Sequence, residues 1–229
     1  TDIKDLTLFF SQVQQWAGVD SDVQSAFIKV NGDSGMQIFG MTHEGLSDTT
    51  LSGWFYNLKD EVKITYLEAA YALGTESYTY GAIAQVTFQD YDNQESSKIY
   101  GVSASFGLRS IGLTTTIAYN NTKGIAADNF FGGGPFVTSA EHNTIKEAGP
   151  DGNIILYTFE WNAAMLGEEN LTFIADIDAH HKDLFYAKEY DLSMAYTYSK
   201  SMNFRAVYSD VNDKAQQFKN FRMFANYMF

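Results

Sequence analysis

NFRMFANYMF, residues 220–229, ends the chain in strict alternation: Phe221, Met223, Ala225, Tyr227 and Phe229 take one side, and Arg222, Phe224, Asn226 and Met228 the other. Side chains of an extended strand point alternately to its two faces, so the segment reads as a strand with one apolar face and one carrying charge and amide groups. The pattern recurs upstream. Leu192, Met194, Tyr196 and Tyr198 alternate with Asp191, Ser193, Ala195 and Thr197, and Met202, Phe204, Ala206 and Tyr208 with Asn203, Arg205, Val207 and Ser209. Leu171, Phe173, Ala175 and Ile177 oppose Thr172, Ile174, Asp176 and Asp178, while Ile155, Tyr157, Phe159 and Trp161 oppose Leu156, Thr158, Glu160 and Asn162. A soluble sandwich fills its apolar face with large aliphatics. Here that face carries Tyr and Phe towards the strand ends with Ala and Gly between, while the other is rich in Ser, Thr, Asn, Gln and charge. An apolar outer band with aromatic girdles around a polar interior is what a lipid-embedded antiparallel β-barrel requires.

Counting back from Phe229 gives about twelve candidate strands: 218–229, 202–210, 187–199, 169–180, 153–165, 112–120, 97–109, 76–89, 61–72, 49–58, 35–44 and 4–14. Connections on the Phe229 side are tight, at Ser199–Met202, Leu166–Asn170, Arg109–Gly112, Leu73–Glu76 and Glu44–Ser47. The opposite side holds the long ones, 15–34, 90–96, 121–152, 181–186 and 210–217, with only Asn57–Asp60 short. Short periplasmic turns against long extracellular loops is the rule of bacterial outer-membrane barrels, and an even strand number returns both ends to the periplasmic rim. The fold class expected is therefore all-β, one transmembrane β-barrel domain over residues 1–229.

Composition narrows the function. With 28 acidic against 15 basic residues the net charge is −13, which opposes nucleic-acid binding because phosphates need compensating Lys and Arg. There is no Cys, hence no disulfide, thiol nucleophile or thiolate metal site. Mean hydropathy is −0.23, and no apolar run approaches the roughly 18 residues of a membrane helix. His43, His142, His180 and His181 fall in no recognisable hydrolase motif, so no catalytic residue is assigned and no enzyme is expected.

Several stretches resemble the C-terminal part of the major outer-membrane porin family of campylobacter-type Gram-negative bacteria: LEAAYALG (67–74), IYGVSASFGLRSIGLTTTIAYNNT (99–122), GPDGNIILYTFEWNA (149–163), SMNFRAVYSDVN (201–212) and RMFANYMF (222–229). The resemblance implies residence in the outer membrane among lipid and lipopolysaccharide, a homotrimer, and passive diffusion of small hydrophilic solutes and ions. It also implies a barrel of about eighteen strands. On that count about six strands precede Thr1; the other arrangement is a shortened relative closing with about twelve.

The 121–152 connection is far longer than a hairpin needs, and its centre, NFFGGGPF, is too apolar for a solvated tail. It is expected to fold into the barrel as a constriction, with Phe130, Phe131 and Phe136 on the inner wall and Asp128, Glu141, His142 and Lys146 facing the passage; packing on the rim is the other outcome. Inward positions place Arg205 and Arg222 near each other, with Glu160, Asp176, Asp178, Glu189 and Asp191 on neighbouring strands. Opposed basic and acidic walls set ion preference, and the acidic excess predicts modest cation selectivity. His180-His181-Lys182-Asp183 reads as a solvated turn. No resident cofactor is expected; Ca²⁺ on loop carboxylates is the cation best matched to the available ligands. Trp16, Trp54 and Trp161 read as interfacial anchors. A functional alternative is a structural or adhesive surface barrel with a closed lumen and ligand-binding loops.

Overall fold

The computed structural model describes residues 5–16, 27–129, 136–181, 187–213 and 217–228. Its strands are β1 (Leu6–Val13), β2 (Gln15–Trp16), β3 (Ile28–Lys29), β4 (Met36–Leu46), β5 (Thr49–Leu58), β6 (Val62–Gly74), β7 (Tyr78–Tyr91), β8 (Ser97–Leu108), β9 (Leu113–Gly124), β10 (Asn153–Asn162), β11 (Leu171–His181), β12 (Ala187–Ser199), β13 (Met202–Asp213) and β14 (Gln217–Tyr227). Twelve of them form one antiparallel meander in the order β1-β4-β5-β6-β7-β8-β9-β10-β11-β12-β13-β14, and β2 and β3 pair as a separate ribbon.

All twelve expected strands form. At the long-loop end three run more than one residue further than alternation indicates, β7 to Tyr91, β9 to Gly124 and β13 to Asp213. Ladder hydrogen bonds persist there after the side-chain pattern has given way to polar residues. The β2–β3 ribbon lies inside the 15–34 connection and was not expected. Tight turns use residues that tolerate a left-handed backbone. Asp48 and Asp60 have φ of 56° and 63°, a conformation that short polar side chains accept. Single 3₁₀ turns, Arg109–Ile111 and Ala163–Leu166, close β8–β9 and β10–β11. Phe229 lies outside the described residues.

The two faces of the sheet differ as the alternation requires. The outer face exposes large apolar side chains, with Leu192 at 61% and Met223 at 77%. Near the short turns its rings cluster: Tyr78 stacks on Phe106 at 5.8 Å, and Trp161 on Phe173 at 5.7 Å. Trp161 also donates its indole N–H to the Ile111 carbonyl at 2.9 Å. These are the rings of a membrane-interface girdle. Among the described residues no helix is long and apolar enough to cross a membrane.

Burial is confined to the inner face. One cluster joins Met36, Leu58, Val62 and Ile64 at the long-loop end of β4–β6, and a second joins wall residues Ile99 and Ile154 to Ala127, Phe136, Ile145 and Ala148. Trp54 departs from expectation. It pairs in register with Gly40 and Tyr66, and Tyr66 bonds to Glu68 and Gln85 on the inner face. Its ring lies across Gly40, where a Cβ would come within 2.3 Å of it, and sits 5.6 Å from the ring of Phe9. Trp54 is thus an inner-wall residue and not an interfacial anchor. Strand β5 carries Trp54, Phe55 and Tyr56 in succession, so aromatic content alone leaves its parity undecided.

Candidate functional site

The connection between β9 and β10 folds onto the inner face and is held at three places. Where it leaves β9, Ser97 Oγ donates to the Ile125 carbonyl at 3.0 Å. Gln89 then grips the Asp128 backbone from both sides, accepting from its N–H at 2.9 Å and donating to its carbonyl at 2.6 Å. Further along, Gln85 Oε1 accepts from Val137 N–H at 2.9 Å and from Asn120 Nδ2 at 3.2 Å. Asn120 Oδ1 in turn accepts from the Thr138 N–H at 3.2 Å and hydroxyl at 2.7 Å. Gln85 on β7 and Asn120 on β9 meet across Gly101 on β8, where a Cβ would lie 2.3 Å from Asn120 Nδ2 and 2.6 Å from Gln85 Cγ. Any larger residue would fill the space where the two amides converge.

The third anchor is the loop tip. Glu141 accepts from Arg205 through Oε1 and from Arg222 through Oε2, the latter at 2.7 Å. Backbone N–H groups of His142 and Asn143 donate to the two oxygens of Glu189 at 2.9 and 2.7 Å. The His142 ring packs edge-on against Phe218 at 5.0 Å and meets Asn220 at 3.0 Å. On the return path Lys146 pairs with Asp128 at 3.3 Å. The loop therefore reaches from β7–β9 to β12–β14, across the intervening β10 and β11.

Magnitudes separate what brings the loop in from what fixes its place. Ile145, Ala148 and Ile154 are fully buried, at about 1.5–3 kcal/mol for an isoleucine side chain. Each neutral hydrogen bond adds about 1 kcal/mol net, and bonds to a charged partner about 1.5–3 kcal/mol. The ion pairs are partly open to water, with side-chain exposures of 15% for Glu141, 27% for Arg222 and 39% for Arg205, which screens them towards the lower figure. Burial supplies the drive; the amides and Glu141 set the register.

Of the residues expected to face the passage, Asp128, Glu141, His142 and Lys146 lie in the folded loop, all on the inner side of the sheet. Phe136 is buried against the wall. Phe130, Phe131 and Gly132–Gly134 lie outside the described residues. Asp178, Glu189 and Asp191 are at most 1% exposed. They sit under the loop instead of lining open water, because its tip is seated on their strands. In register Asp178 faces Glu189 and Asp176 faces Asp191. Asp176 stays half-buried, accepting from Thr158 Oγ1 at 2.5 Å, and Glu160 is exposed nearer the short turns. Lys182 and Asp183 are outside the described residues, as are the side chains of His180 and His181. Among the described residues no group of three or more His, Asp or Glu side chains is placed to hold a metal ion.

The anchors Gln85, Gln89 and Asn120 were not singled out from the sequence, since amides at inward positions are ordinary in a polar wall. The available signal was their position: all three lie in the long-loop halves of β7 and β9, flanking the longest connection.

No protein-family model matches the sequence, and no curated protein matches it. Solved structures do match. Pseudomonas aeruginosa OccK7 (OpdD) superposes with a TM-score of 0.85 at 15% identity, over 99% of this chain and 65% of its own. P. aeruginosa OpdK, crystallised with vanillate, gives 0.83 at 13% identity, again over 99% and 65%. A BenF-like porin from Pseudomonas fluorescens gives 0.81 at 16%, with the same coverage. The chain thus spans just under two thirds of the length of these structures. The likeness is one of fold: that of an outer-membrane β-barrel porin.

Proposed function

We propose that the protein is an outer-membrane porin that lets small hydrophilic solutes and ions diffuse through its lumen, narrowed by the 125–152 loop. The observation that carries this is the clamping of that loop to two separate parts of the inner wall, by Gln85 and Asn120 at one end and by Arg205, Arg222 and Glu189 at the other. A loop held on the inner wall takes up space in the lumen, and rings of charge around a narrow aqueous path set ion preference. The net charge of −13 supports a modest cation preference. Arg205 and Arg222 would suit a carboxylate of the kind bound to OpdK, but Glu141 already occupies both. The campylobacter-type likeness, the barrel of about eighteen strands, the homotrimer and the contacts with lipopolysaccharide belong to the same proposal. Catalysis forms no part of the proposal. Planar-bilayer recording from the native protein tests the reading. Ohmic, ion-selective steps are expected, and their absence would sink it.

A second reading, a structural or adhesive barrel with a filled lumen, draws on the apolar cluster of Met36, Leu58, Val62 and Ile64 on the inner face. It predicts no conductance from the same recording.

A further inference from the structure

We propose that a cavity at the long-loop mouth of the barrel is a binding site for small organic cations. The cavity measures about 780 Å³, within the roughly 300–1,000 Å³ usual for small-molecule sites. Four separate pieces of chain line it, and it stays open to solvent on one side. Trp16 comes from the β2–β3 ribbon, Leu58, Glu61 and Val62 from the β5–β6 turn, Tyr91 from the end of β7, and Asp128 from the inner loop. Walls gathered from so many elements need each piece to be fixed, and here they are. The Asp128 backbone is gripped by Gln89, the Asn31 side chain donates to the Lys59 carbonyl at 2.8 Å, and Asp92 N–H donates to the Glu61 carbonyl at 3.0 Å.

The lining selects by charge. Among the described residues it contains two carboxylates, Glu61 and Asp128, three amides, Asn31, Asn93 and Gln94, and no Lys, Arg or His. Lys146 shares the charge of Asp128, while the Glu61 carboxylate has no ion-pair or hydrogen-bond partner among the described residues. Lys59 belongs to the same turn but does not line the cavity. An anion entering meets the unpaired carboxylate of Glu61 and that of Asp128, whose charge Lys146 offsets at 3.3 Å. An alkylammonium group meets Glu61 with the aromatic side chains of Trp16 and Tyr91 in the same lining, and aromatic rings attract cations through their quadrupoles. Its CH groups rest on Leu58 and Val62. That floor favours an organic cation over a bare metal ion, which needs oxygen ligands on every side.

The site names a solute class for the passage and rests on the porin reading only in placing the cavity on a route. Binding itself is read without flux. Titration calorimetry of the native protein in detergent, with choline chloride as probe, should show saturable binding. Glu61→Gln and Trp16→Leu should each weaken it about threefold to tenfold, the range expected of one exposed charge or one cation–π contact. Lys146→Gln, which frees the second carboxylate, should tighten it. Glucose and vanillate should produce no saturable heat. Equal binding of vanillate or glucose, or unchanged choline affinity in Glu61→Gln and Trp16→Leu proteins of native heat-modifiable mobility, would overturn the proposal. In bilayers, conductance steps without choline block would sink the cavity site alone. Choline binding without steps would sink the porin reading alone.

Discussion

Glu141 holds two strands of the inner wall together, accepting from Arg205 of β13 with one carboxylate oxygen and from Arg222 of β14 with the other. Arg205 and Arg222 are offset by one inward step, since Arg205 faces Phe224 and Arg222 faces Val207 in register. A single carboxylate at the loop tip can therefore bridge them, and Arg222 is steadied from its other side by the ring of Phe224 at 5.6 Å. Glu141→Gln removes the charge and keeps the shape. Loss of charge-assisted bonds worth about 1.5–3 kcal/mol each should lower the equilibrium constant for docking of the tip at least tenfold. Single-channel conductance and current noise should rise, and the reversal potential in a salt gradient should move towards anion preference as both guanidinium groups are released. Identical conductance and reversal potential would show that the tip is not at the constriction.

Neutralising the arginines tests the same contact from the wall. Arg205→Gln with Arg222→Gln leaves Glu141 uncompensated, so cation preference should increase; the tip loses the same two bonds, while Gln85 and Asn120 still hold the loop at its other end. An unchanged reversal potential would exclude both arginines as selectivity determinants. Reversal to Glu is a less clean experiment, because it would also push the tip away by like-charge repulsion.

Most of the fold was legible because the inside–outside alternation of a barrel wall is written residue by residue. β14 shows it without ambiguity in Phe221, Arg222, Met223 and their successors. Alternation fails where both faces are apolar, as around Trp54, because the inner wall of β4–β6 is itself a packed cluster. The site was half legible. Glu141, His142, Lys146 and Asp128 announce themselves as charged or titratable groups in an overlong loop, and Arg205 and Arg222 as charges in a wall. Burial of Asp178 and Asp191 was not legible, since it follows from where the loop tip lands. The cavity lined by Trp16, Glu61 and Tyr91 was equally hidden, because its walls are distant in sequence.

Gly101→Ala should act on the loop and leave the sheet intact. The added methyl would enter the space in which Asn120 and Gln85 meet, and both amides are tied to Val137 and Thr138. Overpacking of this kind costs about 1–3 kcal/mol, and the amides can relieve it by releasing the loop. Proteolysis within residues 136–148 should accelerate by about tenfold while the heat-modifiable mobility of the barrel stays native. Unaltered loop proteolysis would show that the Gln85–Asn120 anchor does not hold the loop.

The inward placement of Trp54 separates it from Trp161 by solvent. Two single-tryptophan proteins, each with the other two indoles replaced by phenylalanine, distinguish the faces. In bilayers, Trp161 stacks with Phe173 in the outer girdle and should be quenched by brominated acyl chains and shielded from aqueous iodide. Trp54, lying over Gly40 beside Phe9 on the inner wall, should respond in the opposite way. Gly40→Val should then shift the emission of Trp54 alone, because the new side chain occupies the place of its ring. Quenching of Trp54 by brominated lipid would reverse the face of β5 and, through the ladder from Trp54 to Tyr66 and Gln85, that of the wall on which the loop is docked.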